Sequence, residues 1–161
     1  MLKRTKSFFF TVLLISIIVI QFGCDKGLEP PVEEPDPTGV IMGTVTYSGE
    51  WPPENELIQL FFVPLPFIPT SVADILLQLS SLRTSNSLQH NVVEDEFLVD
   101  DVPNGAYIYN IIANQYENNL LAWRPLGVYT ENDGVIIVSG DTTVISIHVD
   151  FDNLPPFPPE Q

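Results

Sequence analysis

Few residue types in this chain can do covalent or acid–base chemistry, and their spacing is informative. One cysteine, Cys24, sits in the stretch Ile20-Gln21-Phe22-Gly23-Cys24-Asp25. With no second cysteine it cannot form an internal disulfide. A thiolate is a strong nucleophile near neutral pH, so its natural role is to be modified. There are two histidines, His90 and His148. His148 alternates with an apolar set and is expected at a rim or in solvent, and the wide spacing alone does not make the pair a metal site. The densest acids are Glu94-Asp95-Glu96, expected just before a strand, and Asp100-Asp101, expected just before a turn. Paired carboxylates about 5 to 9.5 Å apart could serve a glycosidase, and such acids can also bind Ca²⁺, but solvated acids are ordinary in such places. No G-x-S-x-G, H-E-x-x-H or glycine-rich phosphate loop occurs. Trp51, Trp123 and Tyr129 could stack on a sugar ring. The competing reading packs Trp123 in the core and lays Trp51 over one end of the fold. No metal or cofactor is called for.

What precedes Cys24 explains its position. Lys3, Arg4 and Lys6 open the chain, and an apolar run follows from Phe8 to Ile20. At 13 residues the run is short for a spanning helix, which needs about 20. A basic start, an apolar middle and a small residue at the exit form a secretory signal peptide. Gly23-Cys24 resembles the signal of bacterial lipoproteins. That resemblance implies a lipidated Cys24 as the mature N-terminus, with residues 1–23 removed. More than one acyl chain is what stable attachment requires. The competing reading is a plain anchor helix ending in a free thiol.

Residues 24–38 then read as a tether, with prolines and acids and little to bury, which favours extended polyproline II. Loss of the three signal-peptide cations takes the formal net charge from −15 to −18. So acidic a chain has no footprint for nucleic acid and stands off anionic lipid.

From residue 39 to 154 the hydrophobic period is two. Ile41, Val45 and Tyr47 share one face of the first strand; Ile145, Ile147, Val149 and Phe151 share one face of the last. The run "ELIQLFFV" at 56–63 is continuous, as in a central strand, and "LLAWRPLGVYT" should kink at Pro125 or Gly127. Turn signals at 48–49, 103–105, 131–134 and 139–141 separate the runs, with "ENDG" at 131–134 read as a hairpin turn. The expected fold is all-β: an antiparallel β-sandwich of about seven strands. One short helix is inserted at about 71–82, where Val72, Ile75, Leu76, Leu79 and Leu82 recur at helical spacing and Ser71 and Asp74 resemble a capping box. Its apolar face should cover a sheet edge or one open end. A sharper reading makes Phe67, Leu76 and Leu79 part of a docking face. Residues 155–161 form a proline-rich tail.

Two motifs carry a second resemblance. Gly39, Ile41, Gly43 and Val45, then Val102, Pro103, Gly105 and Tyr107, are similar to the carboxypeptidase regulatory-like domains, which share a transthyretin-like (prealbumin-like) sandwich. The resemblance implies a sandwich and no catalytic residues. The expected function is therefore non-catalytic: a binding or scaffolding module, lipid-anchored in a bacterial cell envelope, at the outer rather than the inner membrane. Its partners would be the membrane, through Cys24, and an envelope protein or glycan. The alternatives are a carbohydrate-binding module using exposed tryptophan and an envelope hydrolase using carboxylates. Cys24→Ala should abolish acylation and leave an unprocessed precursor, read by metabolic labelling with an acyl probe and by the mass of the protein.

Overall fold

Alternating apolar residues build two facing sheets, and the computed structural model describes them over residues 36–53, 58–78, 80–116, 119 and 122–157. The expected signal peptide, Cys24 and the expected tether up to Pro35 lie outside the described residues, as does Leu79. Among the described residues no helix is long and apolar enough to cross a membrane.

The element order is β1 (Thr38–Ser48), β2 (Gln59–Leu65), α1 (Val72–Leu77), β3 (Glu94–Pro103), β4 (Gly105–Tyr107), β5 (Tyr109–Gln115), β6 (Trp123–Val128), β7 (Ile136–Val138) and β8 (Thr142–Asp150). The first sheet runs β3-β1-β8 and the second β2-β5-β6; β4 and β7 make a small separate ribbon. The all-β sandwich is as expected. The described residues hold eight strands rather than about seven, and β1 pairs with β8 in parallel while the other pairs are antiparallel. A parallel pair needs a long connection, and nearly the whole domain separates these two strands.

The inner faces of the two sheets meet in a core that includes Ile41, Val45, Leu60, Phe62, Phe97, Ile112, Leu126, Ile147 and Val149. Phe62 and Phe97 stack across it with ring centroids 4.5 Å apart. Gly43 makes room for this pair. A Cβ there would lie 2.8 Å from the Phe97 ring and closer still to the Ile145 carbonyl oxygen.

The acids at 94–96 lie within β3 rather than before it. The pair Asp100-Asp101 forms a bulge, since Gly39 and Ile41 of β1 oppose Val102 and Val99. Asp101 takes a positive φ of 50° there. The extra residue returns Val102 to the core after Val99. At the following turn, the Tyr107 hydroxyl donates to the Pro103 carbonyl at 2.8 Å, and burial raises its pKa. The segment 131–134 is a tight turn in which Asn132, Asp133 and Gly134 all have positive φ. It links β6 to β7 rather than closing a simple hairpin.

Residues 85–88 close one side of the sandwich. The Phe62 amide donates to Ser85 Oγ at 2.9 Å, and the Leu88 amide donates to the Leu60 carbonyl at 2.9 Å. On the other sheet Asn86 accepts from the Leu98 amide at 3.0 Å and donates to the Glu96 carbonyl at 3.4 Å. One short segment thus satisfies the outward edges of β2 and β3. Gly43→Ala should cost about 3 kcal/mol, because backbone must move to admit the methyl; urea denaturation of the variant checks this.

Candidate functional site

Strand alternation would ordinarily make the outer face of β2-β5-β6 polar. Instead every residue of β5 is buried. Leu60, Phe62 and Ile112 point to the main core, while Val63, Leu65, Tyr109, Ile111 and Ala113 form a second apolar cluster on the other side. This explains the continuous apolar run in β2. That strand is not central, as its sequence suggests, but an edge strand apolar on both faces. Pro64, which has no amide hydrogen, is compatible with that edge position.

The inserted segment partly covers this second cluster. It does not cover a sheet edge or an open end, as its sequence suggests: Ile75 and Leu82 pack on the outer face itself. The helix is also shorter than the expected span of about 71–82, ending at Leu77. Asp74 fixes its start. The carboxylate accepts from the Thr70 hydroxyl at 2.7 Å, the Thr70 amide at 2.8 Å and the Ser71 amide at 2.9 Å. The Thr70 hydroxyl, then the Thr70 amide, hold its pKa below the ordinary value. Its end follows from serine chemistry. The Gln78 carbonyl accepts from the Ser81 hydroxyl at 2.8 Å and the Ser81 amide at 2.9 Å, so the chain curls into a turn.

Between helix and sheet lies a groove of about 240 Å³. Its floor is Phe61, Val63 and Leu65 of β2, with Ile111 and Ala113 of β5. Trp123 and Pro125 of β6 form one wall, Ile75, Leu76 and Leu82 the other, and Phe157 of the tail also borders it. The kink expected at Pro125 or Gly127 is a bulge at Leu126, since Ile112 opposes Gly127 and Ala113 opposes Pro125.

The candidate residues divide between the two cores. Trp123 and Leu76 meet in the groove, with Trp123 and Phe61 rings 6.4 Å apart, and Phe67 packs on the same cluster. Trp51 lies against the main core instead, half-buried, with Phe151 at 4.5 Å, Tyr47 at 4.6 Å and His90 at 6.4 Å between ring centroids. Tyr129 is buried in that same core, and Asn132 donates to its hydroxyl at 3.2 Å. His148 is exposed, with Nδ1 3.0 Å from the Thr46 hydroxyl and Nε2 3.0 Å from the Ser48 hydroxyl. Among the described residues no three His, Cys, Asp or Glu side chains gather as a metal site would require.

Phe61, which opens the apolar stretch 61–69, lines the groove as well. Ile111 and Arg124 also line it and were not singled out from the sequence. The signal for Ile111 was the loss of alternation in β5. Arg124 lies close to the face of Tyr116, its Cζ 5.1 Å from the ring centroid, and its Nε is buried without a hydrogen bond.

Comparison with protein families, curated proteins and solved structures finds no match to this chain. Because a depressed Asp74 pKa means a contribution present above the ordinary 3.8 and lost as pH falls below it, the helix should loosen only in strong acid. Asp74→Ala should make amide exchange in residues 71–78 about fivefold faster at neutral pH. The unaltered chain should approach that rate only well below pH 3.8, as hydrogen exchange can measure.

Proposed function

We propose that this protein is a lipid-anchored, non-catalytic binding module of a bacterial cell envelope, related to the carboxypeptidase regulatory-like sandwiches. Cys24 carries the acyl chains, the acidic proline-rich tether holds the domain away from the bilayer, and the groove is the contact surface. The observation that carries this reading is the apolar outer face of β2-β5-β6, only partly roofed by α1 and Phe157. Exposed apolar surface of this kind is costly, and an open apolar groove marks a contact surface.

The rest of the surface fits such a role. The opposite outer face, on β3-β1-β8, is a mixed surface in which Leu98, Met42 and Val144 are each exposed beside Glu96, Thr44 and Ser146. A second hollow, beside β7 and β8, is lined by Asn132, Ile136, Ile137, Thr143 and Val144 and has more polar walls than the groove.

A photo-crosslinker replacing Leu76 or Phe61 in the full chain, activated in intact cells, should yield a discrete adduct. The same group at Val144 should yield none. Adducts from Val144 alone would place the contact surface on the other sheet and overturn the reading.

A further inference from the structure

We infer that the C-terminal tail is a strap that narrows the groove in the free protein, with Phe157 as a movable wall that must lift before a partner seats fully. This rests on the groove being the contact surface and names how that surface is regulated. Three observations lead there.

The first is how the tail is aimed. β8 stops at a turn, where the Asp152 amide donates to the Asp150 carboxylate at 3.1 Å and the Asn153 amide to the Asp150 carbonyl at 3.1 Å. Leu154 then packs against the main core. Three residues later Phe157 borders the groove, which belongs to the second cluster. Pro155 and Pro156 lie between them. Neither has an amide hydrogen, and both favour extended backbone, so the segment neither joins a sheet edge nor coils back on itself. At about 3.1 Å per residue it sets Phe157 about 9 Å from Leu154.

The second is what holds the tail down. Leu154 and Phe157 are each half-buried. Among the described residues no hydrogen bond reaches Leu154, Pro155, Pro156 or Phe157. Apolar packing alone keeps the strap in place, and a segment so held opens far more readily than the sheets beneath it. Half-burial of one phenylalanine ring favours the closed state by about fivefold.

The third is what the ring does to the site. Phe157 lines the groove together with Ile75, Leu76 and Trp123. An aromatic side chain against apolar lining is also what a partner's anchor residue would bring. The groove keeps about 240 Å³ open with the ring in place. The strap therefore narrows the site rather than filling it, and lifting it widens the site for such an anchor.

The test uses the full chain. In cells, the photo-crosslinker at Leu76 should give about five times as much adduct when Phe157→Ala is added, because the open state no longer has to be drawn from a minor population. Leu154→Ala frees the strap from outside the groove lining and should act in the same direction. In purified protein in nanodiscs, Trp51→Phe leaves Trp123 as the sole tryptophan. Adding Phe157→Ala should then raise its quenching by acrylamide and shift its emission to the red. Unchanged quenching of Trp123, or a Leu76 adduct that stays level or falls, would overturn the strap. No adduct from any chain, with Trp123 unmasked as expected, would leave the strap as a lid over the groove and remove the binding-module reading.

Discussion

The rest of the structure depends on one constraint: β5 is buried on both faces. Seven consecutive residues, Tyr109 to Gln115, are out of solvent, in an antiparallel sheet that would ordinarily need cover on one side only. The main core satisfies the face of Ile112. The face of Ile111 and Ala113 needs a second layer, and the inserted segment with the tail supplies it incompletely. Among the described residues, the groove is the part of that second layer left open. Burial also draws in polar groups. Asn110 is held by donating to the Tyr107 and Gly134 carbonyls, both at 2.8 Å. Asn114 is fully buried with neither amide atom hydrogen-bonded.

Closure of the sandwich serves the same strand. Ser85 and Leu88 occupy the outward edge of β2, Asn86 does so for β3, and Gly127 of β6 lies so close to β8 that a Cβ would sit 2.8 Å from the His148 carbonyl oxygen. With the sides held this way, the second cluster cannot escape inward. It can be covered only from outside, by α1, by Phe157 or by a ligand.

Much of this was legible in the sequence. Strict alternation in β1 and β8 gave the inward set of each, because period two is the direct signature of a half-buried strand. The motif glycine at 43 and tyrosine at 107 proved to have specific jobs, one admitting the Phe97 ring and the other closing a turn. The errors have a common cause. A run apolar on both faces reads equally as a central strand or as an edge strand covered from outside, and pattern alone does not separate the two. The helix was overextended because Leu82 keeps helical spacing although the serines at 80 and 81 turn the chain. Among the candidate site residues, Trp123, Leu76 and Phe67 did converge, while Trp51 and Tyr129 were drawn into the main core by Tyr47, Phe151 and Asn132.

The most direct test of the groove as the contact surface is amide hydrogen exchange on the full chain, free and after equilibration with solubilised native envelope. Added protection confined to residues 59–65, 70–84 and 109–115, with β6 beside them, is what the groove predicts. Protection confined instead to the outer face of β3-β1-β8, or to the neighbourhood of Trp51, would contradict it.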